Sequence, residues 1–141
     1  MANMSDRTNV VAPTMNFWLN GGSAPTAPTA PLKLRLMTAQ GSNTANGTEA
    51  GGSNGYTTGG NTMGSPAFGA SSAGVSASSN AVSWTATGAL PAAGPAVAIE
   101  IWDSTGTPKR LLQGAITSVQ LANGNTLTFA AGSITADASA W

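Results

Sequence analysis

From Leu32 onward, apolar residues return at every second position in short runs, and glycine, proline, asparagine and serine separate the runs. Leu32, Leu34 and Leu36 alternate with Lys33 and Arg35. Val82, Trp84 and Ala86 alternate with Ser83, Thr85 and Thr87. Val97, Ile99 and Ile101 alternate with Ala98, Glu100 and Trp102, and Leu127 and Phe129 alternate with Thr126 and Thr128. A period of two sends successive side chains to opposite faces of a strand, so each run reads as half-buried β-structure. Weaker runs cover residues 109–112, 117–121 and 133–135. Short strands at this spacing predict a mainly β fold: an antiparallel β-sandwich of jelly-roll or Ig-like type.

The turns support that reading. Asp103-Ser104-Thr105-Gly106 has Asp first and Gly fourth, as a type I turn prefers. Ala122-Asn123-Gly124-Asn125 predicts a hairpin between the strands on either side. Residues 41–79 hold most of the glycine, and irregular strands are expected there around 56–58 and 66–68, because a structureless loop of that length is unusual in a compact domain.

Ahead of the strands the pattern differs. Residues 1–9 are polar and unpatterned and read as an arm. Residues 10–21 read as a short helix, with Pro13 suited to its first turn and Gly21 to the left-handed position after its last. Val11, Met15, Trp18 and Leu19 would share one face of a helix too short to stand alone in water. Residues 24–31 repeat Ala-Pro-Thr, which favours a polyproline II spacer that separates the helix from the strands. Three parts result: an arm and helix (1–22), a linker (23–31) and a β-sandwich domain (32–141).

Composition removes several chemistries. There is no His and no Cys, which excludes an imidazole base, a thiolate nucleophile, a zinc finger and a disulfide. Charged residues make up 7% of the chain and the net charge is zero, against a usual charged share of about 25%. Five scattered basic residues argue against a nucleic-acid surface. The N-terminus lacks the apolar core of a Sec-type signal peptide, and no apolar run approaches the roughly 20 residues that span a bilayer. So weakly charged a surface suits life in an assembly.

Candidate sites are few. Glu100 and Asp103 could be paired as glycosidase carboxylates, but alternation puts them on opposite faces if the strand continues. Glu100 reads more simply as a solvent-facing strand residue and Asp103 as a turn residue. Asp103, Ser104 and Thr105 offer some calcium ligands, without the second acid such a loop needs. The glycine-rich segment lacks the strand–turn–helix context and lysine of a phosphate cradle. Lys33, Arg35, Lys109 and Arg110 read either as a small basic face or as ordinary solvated strand positions, where lysines also block wrong strand pairing. Of the four Trp residues, Trp84 reads as core. Met15, Trp18, Leu19, Trp102 and Trp141 are the candidate assembly interface, because exposed Trp is enriched in interface hot spots. Trp102 and Trp141 have two other readings: they could cover their own sheet edge, or form a platform for carbohydrate.

A set of segments runs in a familiar order: Asn20-Gly21-Gly22, the Pro/Thr linker, Leu32-Lys33-Leu34-Arg35-Leu36-Met37-Thr38, Gly55-Tyr56 and Pro66-Ala67-Phe68-Gly69-Ala70. Asn80-Ala81-Val82-Ser83-Trp84, residues 98–106, 112–117 and 124–132 complete it. In this order of strands and turns the chain resembles the small β-sandwich structural proteins of tailed bacteriophages, of the tail-fibre-like, minor tail and head-decoration kinds. The resemblance covers roughly residues 10–135 and departs at the N-terminal arm and the Trp-ended tail. It implies a virion structural protein, made in the host cytoplasm, with no enzyme activity and no cofactor. Its implied partners are capsid or tail subunits and copies of itself, with no nucleic acid and no membrane. A capsid-cementing role and a carbohydrate-binding adhesin module, which would bind a host-surface glycan, are the competing expectations.

Overall fold

The computed structural model describes Met4, Ser5 and residues 7–137. The chain is mainly β, in antiparallel sheets, with one short helix near its N-terminus. The elements are β1 (Met4–Ser5), α1 (Ala12–Asn20), β2 (Lys33–Ala39), β3 (Thr48–Glu49), β4 (Asn61–Thr62), β5 (Val75–Ala77), β6 (Val82–Thr85), β7 (Ala96–Trp102), β8 (Arg110–Val119), β9 (Thr126–Phe129) and β10 (Thr135–Asp137). A π-helical turn, Arg7–Val11, leads into α1. The largest sheet runs β1-β8-β7-β2-β3, with β4 also paired to β2. β6 pairs with β9 and β5 with β10 in two smaller sheets.

Register explains the core. Leu34 faces Ile101 and Leu36 faces Ile99 across β2 and β7, so four branched side chains meet on one face of the large sheet. Val82 and Trp84 of β6 join them, with Tyr56, Met63, Leu90 and Ile134 from the connections. Leu127 and Phe129 of β9 pack against the same cluster. Each such side chain contributes about 1.5–3 kcal/mol when fully buried. Trp84 is the largest, stacked on Tyr56 (centroids 6.1 Å apart) and edge-on to Phe129 (6.2 Å). On the outer side of β6 and β9, Ser83 meets Thr128 at 2.9 Å and Thr85 meets Thr126 at 3.1 Å.

The four clear period-two runs all fall on strands, and Trp84 is in the core as expected. Other expectations change. The weak runs at 109–112 and 117–121 belong to one ten-residue strand, β8. In the glycine-rich region the short strands lie at 48–49, 61–62 and 75–77 rather than at 56–58 and 66–68, although Phe68 does bridge Ser78. Tyr56 is a core residue on a turn closed by its N–H to the Ser53 carbonyl at 3.0 Å.

The Asn123-Gly124 turn forms, with Gly124 at φ +85°, yet it does not make a hairpin. β8 and β9 lie in different sheets. Leu121 pairs with Leu90, then Gly124 N–H and Ala86 N–H bond the Ala86 and Asn125 carbonyls, each at 2.8 Å, which hands the chain to β6. A turn sequence sets the reversal of the chain but not the strand it meets next.

The N-terminal region departs as well. The polar arm supplies an edge strand, with Met4 opposite Gln113 and Ser5 opposite Leu112. The linker is exposed, and its end is tied to the body. Its Thr29 carbonyl accepts the Ser104 N–H at 3.0 Å, and its Pro31 carbonyl accepts the Ser104 hydroxyl.

Candidate functional site

The second face of the large sheet is covered where it carries Glu100, Trp102 and Arg110, which are buried. Glu100, with no exposed surface, is a buried residue rather than an outward-facing one. Alternation assigns a residue to a face; it cannot say whether another segment covers that face. Here the connection after β2 does. Gly47 N–H donates to Glu100 Oε1 at 2.8 Å, and the carbonyls of Ala45 and Ser42 accept Arg110 Nη1 and Nη2, both at 2.6 Å. Arg110 is likewise no solvated strand residue: Glu100 Oε1 lies 3.1 Å from its Nη1 and both side chains are wholly buried. The approach is close enough to need glycine. A Cβ on Gly41 would sit 2.6 Å from Arg110 Nη1, and one on Gly47 would run into the Ala39 carbonyl.

The network continues along the strand. Trp102 Nε1 donates to Glu100 Oε2 at 2.9 Å, and the Arg35 guanidinium lies 4.1 Å from the centre of the Trp102 ring. Arg35 also pairs with Glu49 at 3.2 Å. Glu49 Oε1 accepts the Tyr56 hydroxyl at 2.8 Å and the Gly59 N–H at 2.6 Å. Burial, then the hydrogen bond to Glu49, push the Tyr56 phenol well above its ordinary range, so it stays protonated. Both Glu100 oxygens are thus committed to partners inside the protein. The Trp102 ring is 8% exposed and sits against Arg35. It is therefore not a surface residue of the kind that docking on a neighbour or a sugar platform requires.

Asp103 caps the β7–β8 connection. Its Oδ1 accepts the Lys109 N–H at 2.7 Å and the Thr105 hydroxyl at 3.0 Å, while its own N–H donates to the Lys109 carbonyl at 3.0 Å. Burial alone would raise its pKa. Hydrogen bonds from Lys109, Thr105 and the Thr29 backbone outweigh that and hold the carboxyl below the usual aspartate range. A depressed folded pKa stabilises the protein above the unfolded value, about 3.9, and the contribution fades as pH falls through the folded one. Asp103→Asn is therefore expected to lower Tm at pH 7, with the gap to the parent narrowing as pH falls below about 4. A constant gap in Tm across a pH 2–7 series would refute this. The carboxyl organises a loop, and among the described residues no three His, Cys, Asp or Glu side chains come together as a metal site.

The exposed apolar surface lies on α1. Pro13 stands in its first turn, and Gly21 at φ +63° ends it with its N–H on the Asn16 carbonyl. The helix carries no charged residue and none of its side chains is buried. Met15, Trp18 and Leu19 are 52%, 74% and 70% exposed, and Phe17 meets Trp18 edge-on at 5.1 Å. Three of the five candidate interface residues thus lie together on the surface, Trp102 does not, and Trp141 lies outside the described residues. Sequence reasoning missed the Glu100–Arg110 pair. The available signal was two opposite charges in a chain with few, each beside an apolar strand position.

The chain matches no known protein family and no curated protein sequence. No helix among the described residues is long and apolar enough to cross a membrane.

Proposed function

We propose that this chain is a non-enzymatic structural protein of a tailed-phage virion, of the minor tail or tail-fibre type, which attaches through its N-terminal segment. The observation that carries this reading is the uncharged helix α1, with Met15, Trp18 and Leu19 side by side on the surface. A nine-residue helix gains its stability from packing, and an exposed apolar cluster with a central Trp has the character of an interface hot spot. The resemblance of its strand and turn order to phage structural proteins supplies the setting. On this reading the large sheet and the β6–β9 pair are the two layers of a β-sandwich, a rigid block that the N-terminus ties to the particle.

Quantitative mass spectrometry of purified particles tests this directly. The chain is expected in the particle at a few copies. Absence from the particle would overturn the proposal, and a count near that of the major capsid protein would replace the tail placement with capsid decoration. Trp18→Ala is expected to weaken incorporation about 30-fold, the equivalent of a hot-spot loss of about 2 kcal/mol. Incorporation at the parent level would take the helix out of the interface.

A further inference from the structure

The N-terminal segment sits on the sheet in a way that allows it to be handed over. β1 pairs with β8 at two positions, Met4 with Gln113 and Ser5 with Leu112, and Asn9 Nδ2 donates to the Arg110 carbonyl at 3.1 Å. Beyond that seat the helix stands off the sheet. A cleft of about 780 Å³ opens there, lined by Pro13, Thr14 and Asn16 of the helix, by residues 23–28 of the linker, and by Asp103, Lys109 and Leu111 of the body. Residues 23–28, which connect the segment to the body, are exposed throughout, and the chain is fastened again where Thr29 accepts the Ser104 N–H.

Backbone pairing at an edge carries no preference for the chain that offers the strand. An identical segment from another copy would restore each of these bonds, which makes exchange a low-cost route to association. An extended tether spans about 3.1 Å per residue, so residues 23–28 reach roughly 19 Å, about the width of four strands at 4.8 Å each.

We infer that the N-terminal segment is exchanged between copies, with β1 of one chain seated against β8 of the next. The occupant of the seat is a second copy of this chain, since only that copy brings the same strand, the same Asn9 contact and the same helix. The inference rests on the reading of the N-terminus as the assembly device and adds its partner and its mode.

The chain has no cysteine, so introduced thiols report cleanly. Residues directly opposite in an antiparallel pair have Cα atoms about 4.5–5.5 Å apart, within reach of a disulfide. Ser5→Cys and Leu112→Cys chains, unfolded together, refolded and oxidised, are expected to give mixed covalent dimers as the main cross-linked product. The double variant Ser5→Cys/Leu112→Cys is expected to give a ladder of covalent multimers. Closure of the double variant as a cross-linked monomer, with no mixed dimer from the single variants, overturns the exchange. Failure of both to cross-link also overturns it, provided Met4→Cys with Gln113→Cys, one residue along the register, fails too. Particle incorporation of the same variants separates the two claims. Exchanged dimers missing from particles would sink the virion reading alone, and incorporated monomers would sink the exchange alone.

Discussion

Arg110→Ala is expected to cost about 3–5 kcal/mol of folding stability, because it leaves Glu100 buried beside no countercharge. The loss is not confined to the ion pair. Arg110 also holds the carbonyls of Ser42 and Ala45 at 2.6 Å and Gln113 Oε1 at 3.3 Å. Without it, the connection that covers this face loses two of its ties, and residues 40–47 are expected to become the first site of proteolysis. Glu100→Leu/Arg110→Met, which removes both charges at similar volume, should recover the larger part. It should not recover all of it, since Gly47 N–H and Trp102 Nε1 lose their acceptor, and a buried unpaired donor costs about 1–3 kcal/mol. Urea unfolding of the parent, the single and the double variant decides the matter. A single-variant loss under about 1 kcal/mol, the range of an exposed pair, would mean that the pair is solvated.

Trp84→Ala should be comparably severe, at about 3–5 kcal/mol. The ring is 2% exposed and lies between Tyr56 and Phe129, where the face of the large sheet meets β6 and β9. Truncation opens a cavity that the surrounding strands cannot fill without losing their register. Its Nε1 is buried with no hydrogen-bond partner among the described residues, so the indole contributes volume and ring contacts rather than a polar bond. Trp84→Phe is accordingly expected to keep more than half of the lost stability. Equal unfolding midpoints for the Phe and Ala variants would show that the N–H has an essential role.

These two positions differ in how far they could be read in advance. Trp84 was legible, because a large aromatic between serine and threonine on an alternating strand has one face on which to bury. Glu100 follows the same alternation, and alternation misplaced it. Its face is covered by residues 41–47, which carry no apolar pattern and close on Glu100 and Arg110 through backbone groups. The hydrogen bond from Arg110 to Ser42 spans 68 positions and the one from Gly47 to Glu100 spans 53. Backbone amides and carbonyls are the same at every residue, so nothing in the composition of that loop marks its target. Placement of the candidate residues divides the same way: the shared helix face of Met15, Trp18 and Leu19 was legible from spacing, while Trp102 lies inward against Glu100 and Arg35.

What the sequence determined by itself is what depends on neighbours a few positions apart. That includes the period-two strands, the start and end of α1 at Pro13 and Gly21, the reversal at Asn123-Gly124, and the inward set Leu34, Leu36, Val82 and Trp84. Local sterics and side-chain alternation are enough for each of these. The tertiary structure alone decided which strand lies beside which. It placed β9 against β6, put β1 on the edge of β8, and buried an ion pair under a loop. Strand pairing uses backbone groups that carry no identity, so partners are selected only when the whole core, distant in sequence, closes at once.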